Sequence, residues 1–251
     1  KKDICQYFNW EIDKPIVLIL AHELTDGNFT NKWNLFLDSK DWLVETLKKI
    51  QKINSVNWIL KPHPSECDYN SKINAETIFN EIVNVKNNIK LFPPDYNAQN
   101  IYKSVSVAIT SHGSAGHEYP ALGVPTVVCG DTHYSGLGFN LEPKTKKQYF
   151  KILFNINSVK KLRKIQNEKS RCFRYLFYFL LRSEIPSIYE TDISMKYDKK
   201  KFWKESLKLL KIKKNYQGNF FKSFEYQLTN NNSSLINLKE LLLFGKNLEL
   251  K

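Results

Sequence analysis

The chain has 251 residues, 42% hydrophobic and 14% aromatic, with 38 Lys+Arg against 25 Asp+Glu for a formal net charge of +13. That much apolar surface offsets the entropy of ordering the chain, which excludes a disordered basic tail and predicts one large globular domain or two small ones. The charge is unevenly placed: residues 1–150 hold 16 basic and 16 acidic residues, residues 151–251 hold 22 and 9, and 22 minus 9 is the whole +13.

In chain order, the first 150 residues alternate between strand-like and helix-like segments. A β-branched and leucine run over 16–20 reads as a strand buried on both faces, and it opens into a polar loop over 21–31. Trp42, Leu43, Thr46, Leu47 and Ile50 recur at helical spacing and predict a helix over 41–53. A short strand over 57–60 ends at Lys61-Pro62-His63-Pro64, because two prolines cannot continue a central ladder. A helix over 75–85, a strand over 89–91 and a short helix over 97–103 follow. Residues 105–110 read as another buried strand, which empties into Ser111-His112-Gly113-Ser114-Ala115-Gly116. A helix over 118–122 closes at Gly123, and the last strand covers 126–129.

Strands joined by crossover helices imply a parallel sheet wound like a nucleotide-binding domain. Beyond about residue 145 the pattern is helical, with helices expected over 148–156, 159–182, 201–212 and 235–244 and a loop over 230–234. The expected fold class is α/β: a Rossmann-like parallel sheet over 1–150, followed by a basic helical region over 151–251. Cys5, Cys67, Cys129 and Cys172 show no framework spacing, which points to a reducing, cytoplasmic compartment. The start at Lys1, without Met or an apolar leader, reads as a processing boundary. The longest apolar run, near 175–181, is shorter than the roughly 20 residues that cross a bilayer.

All five histidines, His22, His63, His112, His117 and His133, fall just after a predicted strand or in the loop that follows it. In a parallel sheet those loops share the carboxyl edge, where such folds bind ligands, so one shared site is expected. Residues 111–118 offer backbone N–H groups, two hydroxyls and the start of a helix, a combination suited to a phosphate. The same turn, carrying Gly113 and Gly116, also fits a plain strand-to-helix connection.

Other chemistries fit less well. Ser114, Asp131 and His133 follow a hydrolase chain order, but Asp131 and His133 are two residues apart in one loop. His63 with Cys67, and Cys129 with His133, lack a usual zinc-ligand spacing. Arg171 and Arg174 interleave with aromatics without any nucleic-acid module signature, so no nucleic-acid partner is expected.

The segments Trp58-Ile59-Leu60-Lys61-Pro62-His63-Pro64-Ser65-Glu66, Ile109-Thr110-Ser111-His112-Gly113-Ser114-Ala115-Gly116-His117-Glu118 and Gly123-Val124-Pro125 resemble bacterial capsule and surface-polysaccharide glycosyltransferases of GT-B type. That group holds the Kdo transferases, the polysialyltransferases and the related CDP-glycerol phosphotransferases, which share an HP element and a later serine element. The resemblance covers about residues 15–150 and implies the donor-binding half of such an enzyme. It implies transfer of a sugar from CMP-Kdo or a similar nucleotide sugar to a capsule or lipopolysaccharide glycan, lipid-linked or free. The alternatives are a CDP-polyol phosphotransferase and a non-catalytic nucleotide-binding half. No redox cofactor and no tightly bound metal are implied.

Carried over by position, the resemblance implies that His63, Ser111 and Ser114 hold the donor phosphate, within a set that includes Lys61, His112, Gly113 and Gly116. Glu118 stands where these enzymes bind ribose, and Tyr134, Ser135 and Gly136 form a flexible loop beside donor or acceptor. His22, Glu23 and Asp26, after the first strand, face the donor and are the local candidates for acid/base work; they read equally as a polar loop with an Asp-Gly turn. An enzyme of this type also has an amino-terminal acceptor domain, so that domain lies outside this sequence or residues 151–251 take over part of its work. The basic region suits peripheral contact with an anionic membrane, at the cytoplasmic face, or with an anionic acceptor.

Overall fold

The largely apolar runs become strands, and all but the third are buried along most of their length. They are β1 (Ile16–Leu20), β2 (Asn57–Lys61), β3 (Ile89–Leu91), β4 (Val107–Thr110) and β5 (Thr126–Val128), all parallel, in the order β3-β2-β1-β4-β5. The strand order reverses between β1 and β4, the place where a doubly wound sheet opens a crevice at its carboxyl edge. The computed structural model describes residues 1–26, 35–66, 72–84, 88–93, 96, 98–162 and 165–176. The helices expected over 201–212 and 235–244, the loop over 230–234, Cys67, and the expected helix beyond 176 lie outside the described residues.

Side chains alternate between the faces of the sheet. Val17, Ile19, Trp58, Leu60, Val107, Ile109 and Val127 share one core with the buried faces of four helices. These are α2 (Ser39–Ile50), α3 (Ala75–Ile82), α5 (Lys146–Phe154) and α6 (Ile156–Leu162), in a series that begins with α1 (Lys2–Phe8) and includes α4 (Ala115–Ala121). Helix α4 packs against β4 and β5.

Local signals set the helix ends. The carboxylate of Asp38 accepts the N–H of Asp41 at 2.7 Å, which starts α2 at Ser39, two residues before the apolar periodicity begins. Asn74 and Thr77 cap α3 reciprocally, each side chain taking the other's backbone N–H. Helix α1 escapes the periodicity argument because it buries only Ile4 and Cys5. Within the helix expected over 159–182, the described residues form the end of α6 and α7 (Ile165–Leu176).

Lys1–Cys172 form one compact unit. The first part of the basic region therefore belongs with the sheet: Tyr149 and Leu153 of α5 and Ile156 and Val159 of α6 are core residues. Among the described residues, no helix is long and apolar enough to cross a membrane.

Candidate functional site

The register of the sheet levels three strand ends. Leu20 pairs with Lys61 on one side and with Thr110 on the other. Two residues beyond these aligned positions stand His22, His63 and His112. The backbone keeps pairing past the strands, with Ala21 N donating to Lys61 O at 3.0 Å and Gly130 N to Ser111 O at 2.8 Å, so the offset is held rather than left to loop freedom. The result is a row of imidazoles across the crevice: the His22 ring lies 5.8 Å from His63, in a stacked arrangement, and 5.8 Å from His112.

The same offset beyond β5, two residues past Val128, is Gly130. A Cβ there would overlap the His112 imidazole, so the glycine makes room for the ring. The sequence reading passed over Gly130, although a glycine at the position that carries histidine after three other strands was a visible signal.

The row is rich in unused polar atoms. His112 is 8% exposed, and neither of its ring nitrogens has a hydrogen-bond partner among the described residues; the same holds for His22 Nδ1 and for the hydroxyl of Ser111, which is 2% exposed. Buried polar groups are ordinarily paired, so this concentration marks a place built for something polar. His63 Nδ1 accepts the N–H of Ser65 at 3.2 Å, which in the neutral ring puts the proton on Nε2.

Burial lowers the pKa of all three rings, and like-charge proximity adds to this in two of them. His112 is lowered to about 4 by burial and then by His22, against Asp131. His63 is lowered by burial, His22 and Lys61, and His22 by burial against the carboxylates of Asp26 and Glu23.

The two serines differ in what they already do. The Ser114 side chain is hydrogen-bonded to Glu118, whose carboxyl is pushed up by burial against the pull of that bond and of Lys61. Ser111 is the uncommitted hydroxyl. Lys61 is lowered by burial, opposed by Glu118, and its ammonium lies 5.6 Å from the centre of the Phe92 ring. Gly113, at φ 93, holds a left-handed turn beside the row with open space around it.

Beside the three-ring row, His117 and His133 make ring contacts with one another. Their rings, 6.0 Å apart, pack with Tyr134 in a second cluster. Tyr134 is 1% exposed, its hydroxyl donates to Gly113 O at 2.6 Å, and a Cβ on Gly116 would overlap it. It anchors its end of the loop. Ser135 and Gly136, farther along, line a cleft of about 440 Å³ with Leu35, Asp131, Glu142 and Lys144. Gly130 lines the cleft as well, so the cleft adjoins the end of the row.

In the loop after β1, the carboxylate of Glu23 is 1% exposed and accepts from Thr25 N at 2.7 Å and Thr25 Oγ1 at 2.6 Å. Burial acts to raise its pKa, but these bonds and His22 outweigh burial and hold the carboxyl below its ordinary value. Glu23 thus organises the loop that carries His22, while Asp26 is exposed. Because its pKa is depressed, Glu23 contributes stability that is present above the ordinary carboxylate range and is lost as pH falls through the lowered value. Glu23→Gln is expected to cost about 1–3 kcal/mol at neutral pH, and the deficit should close on acidification; thermal unfolding of both proteins across pH measures it.

Among the described residues, no group of three His, Cys, Asp or Glu side chains is placed to hold a metal ion. Cys129 sits in the core with residues of α2 and α5.

No protein-family model matches this chain, and no curated protein matches it. Among solved structures it is similar to UDP-GlcNAc 2-epimerase from Neisseria meningitidis bound to UDP-GlcNAc, at 15% identity over 68% of this chain and 42% of that chain, with a TM-score of 0.40. It is similar to KpsC of Thermosulfurimonas dismutans, a beta Kdo 2,4 transferase, at 12% identity over 65% and 45%, with a TM-score of 0.41. It is also similar to the wall teichoic acid polymerase TagF, at 12% identity over 69% and 42%, with a TM-score of 0.46. The chain spans between 41% and 51% of the length of the solved chains it matches first. Likeness at this level assigns neither substrate nor site.

Proposed function

We propose that this chain is the donor-binding half of a nucleotide-sugar-dependent glycosyltransferase of GT-B type, acting in the assembly of a capsule or lipopolysaccharide glycan. The observation that carries the reading is the levelled row His63, His22 and His112 at the switch point of the sheet, with the unpartnered Ser111 hydroxyl beside it. A departing nucleotide leaves as a phosphate, and fixed donors aimed at that developing charge lower the barrier to departure. His63 Nε2–H, Ser111 Oγ–H and His112 are those donors here. Glu118, held by Ser114, receives the ribose hydroxyls, and the cleft beyond Gly130 receives a sugar. Of the three residues after β1, His22 is the group placed for proton transfer, since Glu23 is committed to Thr25.

The acceptor is a glycan, free or lipid-linked, and the basic carboxyl-terminal region brings the protein to it or to an anionic membrane surface. Calorimetric titration of the chain with UDP-GlcNAc, CMP-Kdo and CDP-glycerol tests the reading. One of these nucleotides is expected to bind at one site per chain; binding by none of them, to this chain or to any longer protein that contains it, overturns the proposal. A phosphodiester product would reassign the transferred group to a polyol phosphate.

A further inference from the structure

We propose that the row of His63, His22 and His112 takes up a proton from solvent when a nucleotide diphosphate binds across it, so that donor capture is linked to pH. This rests on the donor-site reading above and adds a thermodynamic property to it. A neutral imidazole offers one N–H and one bare lone pair. His63 has its lone pair satisfied by Ser65 N, but His112 has two unpartnered buried nitrogens, so in either tautomer one buried lone pair is left without a donor. Protonation converts that lone pair into a second donor and gives the ring a positive charge that attracts a phosphate.

The groups facing the row account for its state without a ligand. His22 faces Glu23 and Asp26 from its own loop and the rings of His63 and His112; His63 faces Lys61, His22 and the same two carboxylates; His112 faces His22 and Asp131. Those carboxylates do not offset burial and the neighbouring rings, since all three imidazoles remain harder to protonate than a free one. A diphosphate adds negative charge inside the same crevice and reverses that balance, so protonation that is unfavourable in the empty row becomes favourable in the complex.

The sign follows. The affected pKa values lie below the ordinary histidine value in the free protein and rise on binding, so affinity increases as pH falls between the free and bound values. UDP-GlcNAc and CDP-glycerol are suitable probes because their diphosphates do not titrate near neutrality, and any proton taken up belongs to the protein. Calorimetry of the chain in Pipes and in Tris, buffers of very different ionisation enthalpy, counts the protons. Between about pH 6.5 and 8, a proton uptake that grows as pH falls and a Kd that rises with pH, by at most about tenfold per unit, are expected. His112→Asn should remove most of the linkage, whereas His133→Asn, in the second cluster, should retain it. Clear binding with the same enthalpy in both buffers overturns the inference and leaves the donor site standing. No binding by either probe, or by CMP-Kdo, overturns both.

Discussion

Replacing Gly130 with alanine is expected to weaken nucleotide binding by about tenfold to a hundredfold, in a protein that still folds. The added methyl would overlap the His112 imidazole, and that ring, 8% exposed and 5.8 Å from His22, must move to accommodate it. Displacement of a buried side chain by one extra methyl costs about 1–3 kcal/mol, which is the origin of that range. The substitution changes no charge and no donor or acceptor. A loss of affinity therefore reports the position of His112 or the width of the cleft that Gly130 also lines, and a probe that lacks the sugar, UDP, separates the two. Titration of the variant, with circular dichroism to confirm the fold, makes the comparison; unchanged affinity would show that the His112 ring is not part of the site.

Tyr149→Ala is expected to have the largest effect on stability, about 3–5 kcal/mol, the scale for removing a fully buried aromatic ring. Tyr149 has no exposed surface, and its hydroxyl accepts Trp42 Nε1 at 3.2 Å and lies 2.8 Å from Thr46 Oγ1. The ring ties α5 to α2, and the thiol of Cys129, pushed up by burial, lies against the same pair of side chains. Tyr149→Phe separates the two contributions: it keeps the ring and removes the hydroxyl that accepts Trp42 Nε1 and meets Thr46 Oγ1, for an expected cost of about 1–3 kcal/mol. Denaturant unfolding of both variants measures the difference. A small effect of Tyr149→Ala would mean that α5 is peripheral to the sheet.

That second prediction bears on the net charge of +13. The charge balance divides the chain at residue 150, where the acidic and basic counts stop cancelling. Packing divides it at Cys172 instead, because Tyr149, Leu153, Ile156 and Val159 are needed to cover the sheet. A surface property and a core property need not share a boundary.

The central strands were legible because a strand buried on both faces writes itself as a largely apolar run, and 16–20, 58–60 and 107–109 need no partner to be seen. The histidines were legible as edge residues for the same reason. Their grouping was not. Whether His22, His63 and His112 stand level depends on how Leu20, Lys61 and Thr110 pair, and register is a property of three strands together. His117 follows the same strand as His112, yet it lies inside α4, whose turn carries it to Tyr134 and His133. The difference between Ser111 and Ser114 was likewise hidden, since it comes from the bond that Ser114 makes with Glu118, one helical turn beyond it. The cleft joins Leu35 to Glu142 across more than a hundred residues and leaves no local trace.

If His22, His63 and His112 act on one ligand, their rings respond to it together. Proton–nitrogen correlation spectra of the chain carrying 15N-labelled histidine resolve the five rings, and single His→Asn variants assign them. On titration with the nucleotide sugar that binds in calorimetry, the ring nitrogens of His22, His63 and His112 are expected to shift together along one saturation curve, with much smaller changes at His133. Saturable shifts confined to His117 and His133, with the row unmoved, would contradict the account.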